Sequence, residues 1–314
     1  LKMVPQKMYS QNIGFKVNTN DAAAILLNTT RKNYEKTLGF LSLSTELSTN
    51  PGANFVAETN KSNIPTLGTE VKVKYQNYNI YEKGEKLYNA DLFYPSASFY
   101  FYKTYWNKLN FGAGIQEEYF NGDVFTKNTG EQVSTEKINQ LLTSTYGYIR
   151  FDDMDNFYFP TKGTRVNIEF SLYTDFSEYK LSPEIFFKMN KVIPVTLKTA
   201  FLFDVYSRII FNSDYPLIKT TVIGGEPYSQ YFNYHLPFVG LPPVIVGERN
   251  TGVGLVGLRI KMGKMQYLSF MYNLMAQGDN IDQPDEFNFI GGGGVKYSLN
   301  TAVGPIDLGA GYSG

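Results

Sequence analysis

Few side chains in this sequence could do chemistry, and each has a plainer reading beside it. Asp152-Asp153-Met154-Asp155 clusters three carboxylates, the ligand type that calcium takes. The spacing lacks the EF-hand pattern, and a Phe159-Pro160-Thr161-Lys162-Gly163 turn follows at once, so the residues favour a solvated turn. Gly291 to Gly294 could suggest a phosphate cradle, but no Lys-Ser/Thr pair follows. Close backbone packing in a wall, or a wall thinned beside an inserted loop, suits four glycines better. His235 is the single histidine and there is no cysteine. Disulfides and thiolate metal sites are thereby excluded, and little room is left for a histidine metal site or a Ser-His-Asp triad. His235 reads as a packed, hydrogen-bonded loop residue. No nucleophile–base pair stands out, so this chain is not expected to be an enzyme, and no cofactor or metal is expected.

What the sequence does carry is a pattern. In DNFYFPTKGTRVNIEFSLY, Val166, Ile168, Phe170 and Leu172 alternate with Arg165, Asn167, Glu169, Ser171 and Tyr173. Strict period two makes a β-strand with two unlike faces. Similar segments recur along the chain: Ile13–Val17, Leu41–Glu46, Asn54–Ser62, Val71–Gln76, Ala97–Tyr102, Leu109–Gln116, Ile185–Met189, Val195–Val205, Val256–Lys261, Leu268–Leu274, Val295–Leu299 and Ile306–Ser313, and Leu142–Phe151 is a further strand with poor alternation. Ala22 to Tyr34 is a weaker strand candidate whose alanines could also form a short helix. After Tyr75 the phase slips, which means a bulge or the end of a membrane section. Residues 121 to 140 are polar and read as a long external loop. Residues 212 to 249 do not alternate and are rich in Gly, Pro and Tyr.

About fifteen strands of one design, with no linker, point to a single all-β domain over residues 1–314. The charges at Arg165, Glu169, Lys198, Asp204, Arg259 and Lys261, with Lys16, Lys72 and Lys74, fall on the faces opposite the apolar ones. In a soluble sandwich the apolar faces would have to cover one another, and here there are no amphipathic helices to help. A transmembrane antiparallel β-barrel solves this by turning apolar faces to lipid and charged faces to a hydrated lumen. Its mean hydropathy stays low, and the 16% aromatic content suits strands and interfacial girdles. A spanning sheet must have no free edge, and bacterial single-chain barrels have even strand numbers. Sixteen strands are therefore expected, with the last one missing from this chain. Lipid is the expected partner, and a partner chain could fill the seam between first and last strands. The neutral net charge gives no footprint for nucleic acid.

DDMDNFYFPTKGTRVNIEF resembles the D…FPT-G segment of the BamA/TamA-type outer-membrane assembly superfamily, also called the bacterial surface antigen family. GGGGVKYSLNTAVGPIDLGAGYS resembles that family's next-to-last strands. Phe159, Pro160 and Gly163 carry the turn motif. The resemblance implies a sixteen-stranded barrel in the outer membrane of a Gram-negative bacterium. It also implies a long sixth loop folded back into the lumen, and TVIGGEPYSQYFNYHLPFVGL sits where that loop belongs. The family's loop tip has a Gly-Gly pair and then Val-Arg-Gly-aromatic. Gly224-Gly225 is present and Tyr231 stands as the aromatic, but Ser229 and Gln230 occupy the Arg and Gly positions. NIGFKVNTNDAAAILLNTTRK and YFNYHLPFVG look more like the barrel of bacterial patatin-like proteins. That resemblance implies a lipid acyl hydrolase upstream of Leu1, because no G-x-S-x-G elbow occurs in the chain.

Three readings follow. The first is the anchor or translocator barrel of a patatin-like protein, its lumen occluded by residues 212–249. The second is a protein-insertion or secretion machine of the BamA/TamA type, and the third a diffusion porin. Gly224-Gly225 would allow a tight reversal at positive φ. Tyr228, Tyr231, Phe232 and Tyr234 could then wedge the loop into the lumen. An aromatic external loop with no plug role is the competing reading.

Overall fold

The computed structural model describes residues 8–18, 22–33, 38–59, 65–82, 84–126, 134–175, 180–212, 215–225, 232–301 and 304–314, and the statements below concern these. Eleven strands come first: β1 (Met8–Asn18), β2 (Ala22–Lys32), β3 (Leu38–Leu47), β4 (Gly52–Thr59), β5 (Thr66–Glu82), β6 (Glu85–Tyr105), β7 (Leu109–Thr126), β8 (Ser134–Asp152), β9 (Gly163–Asp175), β10 (Lys180–Pro194) and β11 (Thr199–Ile210). The long connector then contributes three two-residue strands, β12 (Val222–Ile223), β13 (His235–Leu236) and β14 (Ile245–Val246). Four strands finish the chain: β15 (Asn250–Lys261), β16 (Gln266–Gly278), β17 (Asn288–Thr301) and β18 (Gly304–Ser313).

β1 to β11 and β15 to β18 form one 15-stranded antiparallel sheet in chain order, with β11 pairing directly with β15 across the connector. β12 to β14 make a separate three-stranded sheet. Among the described residues β1 and β18 are the outer strands of the large sheet and do not pair with each other.

The period-two pattern sorts as expected for a membrane wall. Phe99 is 59% exposed, and Ile115, Phe170, Val256 and Phe270 are likewise exposed on one face. Ser98, Ser144, Ser171 and Ser269 are buried on the other. An exposed apolar band with a polar interior is the reverse of a soluble sheet. No helix among the described residues is long and apolar enough to cross a membrane.

Tyrosine and glycine are matched across strands on the inner wall. Gly68 faces Tyr100, Gly112 faces Tyr148 and Gly114 faces Tyr146. A Cβ on any of these three glycines would run into the facing tyrosine ring. Each ring thus lies on bare backbone, which lets large aromatics line a narrow interior without pushing the strands apart.

One sequence expectation about the wall needs correction. Residues 121–140 are not a long external loop: β7 runs to Thr126 and β8 starts at Ser134, paired in unbroken register from Leu109↔Phe151 to Thr126↔Ser134. Polar side chains misled there because these strands outrun the bilayer. β5 to β8 are 17, 21, 18 and 19 residues long, whereas about 9–11 residues span. The weaker strand candidate at Ala22 to Tyr34 does form a strand, over Ala22–Lys32, held by β1 and β3 on its two sides; pairing there overrides alanine's helical preference.

The slip after Tyr75 is the end of the membrane section. The register with β6 continues to Ile80 and shifts only between Ile80 and Tyr81. What changes at Tyr75 is which face is apolar. Below it, Leu67, Val71 and Val73 face outward, and Lys72 and Lys74 line the interior. Above it, Tyr78 and Ile80 are buried inside, and Tyr75, Asn77, Asn89 and Asp91 form an outer hydrogen-bond ladder. A strand leaving lipid for water, with protein packed against its inner side, must exchange faces in this way.

Candidate functional site

The long connector enters the space enclosed by the sheet. Its β12 pairs parallel with β13 and antiparallel with β14. Gly224 and Gly225 follow β12 at φ 118° and 66°. A Cβ on Gly224 would overlap the Pro242 carbonyl, so only glycine fits this reversal. The chain then docks as a compact body: Gly224 N donates to Leu236 O (2.9 Å) and Phe238 N to Gly225 O (3.1 Å). Phe232 and Tyr234 are buried, stacked on each other at 5.2 Å, with Tyr78 of β5 edge-on to Phe232 at 5.4 Å. Tyr228 and Tyr231 lie outside the described residues.

Two apolar clusters hold the connector to the wall. One joins Phe232, Tyr234, Val222 and Val244 to Tyr78, Ile80 and Leu92. The other joins Ile223, Leu236 and Phe238 to Tyr206, Val253 and Met275. Contacts with β5, β7, β11, β16, β17 and β18 come from this one segment. The sheet is therefore wrapped around it.

Charge fastens what apolar burial positions. Lys219 Nζ of the connector lies 2.5 Å from Glu118 Oε2 of β7, both nearly buried, and 4.4 Å from the Tyr173 ring centre. Arg208 of β11 is fully buried; it pairs with Glu184 of β10 at 2.6 Å and lies 4.3 Å from the Tyr234 ring centre. Its second terminal nitrogen donates to Thr221 of the connector at 3.4 Å. Cation–ring contacts strengthen when water is excluded, as here. Lys219 therefore supplies a loop-to-wall cation on the rising arm of the connector, away from the Gly-Gly tip.

At the far wall, the glycine run becomes a shelf. Gly292 and Gly294 of β17 face inward, where a Cβ would meet Phe238 and Val239 at 2.7 Å. Gly240, at φ 99°, lies flush against Gly311 to Ser313 of β18, and Ser313 Oγ donates to Gly240 O (3.1 Å). Asn273 of β16 grips both backbone groups of Val239. Of the two sequence readings of this run, the thin wall beside a folded-in loop describes Gly292 and Gly294.

Beneath the connector lies a cavity of about 420 Å³, lined by Lys72, Lys74, Arg150, Glu169, Tyr94 and Asn167 among others. Glu169 faces it, 3.6 Å from Arg150. Asp204 sits inside β11 and accepts from Asn190 (2.7 Å). Arg165 pairs with Asp152 at the mouth (2.8 Å). Lys261 ends β15, and its amide donates to Lys198 O (2.6 Å). Lys198 itself is exposed in the turn between β10 and β11, not in the lumen. The strand register places it one residue before β11 begins, a limit that alternation alone does not mark.

The Phe159-Pro160-Thr161-Lys162-Gly163 turn stands at the mouth opposite the connector's root. Asp155 accepts from Thr161 N (2.8 Å), Lys162 N (3.3 Å) and the Thr161 hydroxyl. Burial alone would raise the Asp155 carboxyl; the hydrogen bonds from Thr161 and Lys162 outweigh it and hold it below the usual range. Asp153 accepts from Thr164 N (2.6 Å). The acidic cluster thus builds the turn. Gly163 turns at φ 121°. Phe159 reaches inward and lies parallel to Tyr267 of β16, with ring centres 4.4 Å apart. Arg259 of β15 donates to Pro160 O.

A large antiparallel sheet wrapped round an inserted connector can be compared with known proteins. The profile of the OMP85 superfamily matches residues 52–314. The chain belongs to the OMP85 superfamily. Among solved structures, this OMP85 chain is similar to BamA from Haemophilus ducreyi lacking POTRA domains 1-3, with a TM-score of 0.74 at 13% identity over 98% of this chain and 67% of that one. CdiB from Escherichia coli matches with a TM-score of 0.63 at 11% identity over 99% of this chain and 60% of that one. CdiB from Acinetobacter baumannii matches with a TM-score of 0.57 at 9% identity over 97% and 56%. No curated protein matches the sequence significantly.

Lys219, Glu118, Arg208, Glu184 and Asn273 were not singled out from sequence. Arg208 gives the one local signal, a cation at an inward position within the apolar run of β11.

Proposed function

We propose that this chain is an OMP85 barrel of a Gram-negative outer membrane that is closed at rest and handles polypeptides, inserting or secreting them. Membership of the superfamily and the likeness to BamA and CdiB support the polypeptide role. The observation that carries the closed lumen is the buried Lys219–Glu118 pair at 2.5 Å. Breaking such a pair leaves an uncompensated buried charge, so the connector does not leave the lumen freely. A diffusion porin needs an open water path, which the two apolar clusters fill.

Reconstitution in planar bilayers tests this. The parent chain is expected to show only rare, small openings. A large steady conductance would overturn the plugged reading. Proteoliposomes that fail to speed the insertion or release of an unfolded barrel client would overturn the polypeptide role.

A second reading makes the barrel the anchor of a patatin-like hydrolase. It rests on the resemblance of residues 12–32 and 231–240, and the firmness of the plug suits a barrel that need not open. A G-x-S-x-G domain ahead of Leu1 in the full-length protein would favour it, and βααββ repeats there would favour the first.

A further inference from the structure

We propose that residues 153–163 form a second gate, at the mouth opposite the connector, and that Phe159 is its latch. The strands fix the location. β8 ends and β9 begins at this turn, yet its contacts are on β15 and β16, with β10 and β11 lying between. The turn therefore arches inward across a sector of the mouth instead of following the rim. Its three aromatics divide accordingly: Phe157 and Tyr158 are exposed, while Phe159 is buried against Tyr267.

The turn is built as a unit. Asp153, Asp155 and Asn156 bind backbone amides within residues 153–164 (2.6 to 3.4 Å). At Gly163, which ends the turn, φ is 121° and a Cβ would lie 2.6 Å from Asp153 O. The same unit meets the far wall through the Phe159–Tyr267 ring stack and the Arg259 hydrogen bond. The bonds that shape the turn lie within it. Such a segment separates from the wall as a body without unravelling. The connector is different: two apolar clusters, the buried Lys219–Glu118 pair and the contacts of Arg208 with Thr221 and Tyr234 hold it. The turn is the weaker of the two closures and opens first, which exposes the chamber lined by Asn167 and Glu169 to one side while the other stays shut. This goes beyond the proposed function, because it holds whatever cargo the barrel serves.

The absence of native cysteine allows a direct test. Asn167→Cys places one thiol in the chamber, and oriented proteoliposomes are treated with a membrane-impermeant maleimide from either face. In this otherwise unchanged chain the thiol is expected to react slowly from both faces. Adding Phe159→Ala and Arg259→Ala should raise the rate at least tenfold from the face carrying the turn and leave the other face unchanged. The gate is overturned if the thiol already reacts at the faster rate with the turn intact, or if the rate rises equally from both faces. Heat-modifiable migration on gels reports folding. Should the alanine pair not fold, Phe159→Leu keeps apolar bulk but removes the stacking face. It should give a smaller gain on the same side, and no gain there would equally overturn the proposal.

Discussion

The Asn273 side chain binds Val239 as a neighbouring strand would: Val239 N donates to Asn273 Oδ1 at 2.7 Å, and Asn273 Nδ2 donates to Val239 O at 3.2 Å. Asn273 is fully buried, so no water replaces either bond. Asn273→Ala leaves two backbone groups without partners, at about 1–3 kcal/mol each. Hydrogen exchange at the Val239 amide should accelerate strongly. Asn273→Asp keeps the acceptor and should leave that amide more protected than alanine does.

The inward glycines of β17 should tolerate no side chain. Gly292→Ala drives a methyl group into the Phe238 ring and Val239 O, at 2.7 and 2.8 Å. Overpacking of this kind costs roughly 1–3 kcal/mol, and it should appear as faster proteolysis of the connector. Gly254→Ala is the control. Nothing lies within 4 Å of its Cβ, so its proteolysis rate should match the parent's.

The Lys219–Glu118 pair should show strong coupling. Lys219→Met strands the Glu118 carboxylate among aromatics, at about 3–5 kcal/mol. Channel openings in planar bilayers should become frequent. Lys219→Met combined with Glu118→Leu removes both charges and should recover most of the loss. If the two single effects simply add, the pair does not fasten the connector.

Acid should loosen the connector through His235. Burial holds its pKa down to about 4, against the opposing pull of the Gly224 and Pro243 carbonyls. Above pH 6.5 the imidazole is neutral folded or unfolded, so stability does not depend on it. As pH falls from 6.5 towards 4 only the unfolded form takes up the proton, and stability drops. The loss levels off below about pH 4, at on the order of 3 kcal/mol. His235→Gln should flatten that slope in denaturant titrations run across the same window.

Much of the wall was legible in sequence because a half-buried strand writes its two environments into alternate residues. Phe170 beside Glu169 says as much as the coordinates do. The reading failed where environments changed along one strand. Above Tyr75 the apolar side turns inward, and in residues 121–126 and 134–140 water replaces lipid, so alternation fades while the strands continue. The connector was harder still. Gly224-Gly225 announced a reversal, and the shelf at Gly292 and Gly294 was half read. The partners of that shelf were not, because Asn273 and Val239 are 34 residues apart and no local pattern links an asparagine to the backbone it binds. Lys219 and Glu118 stand 101 residues apart, and only the wrapped sheet brings them together.

The exchange of faces in β5 and β6 also gives a practical handle. The hairpin tip at Gly84 stands well clear of the bilayer, with φ at 83° and open space where a side chain would be. A short epitope inserted there should leave the wall below undisturbed, and whether antibody binds it on intact cells or only after lysis would report which side of the membrane that end occupies.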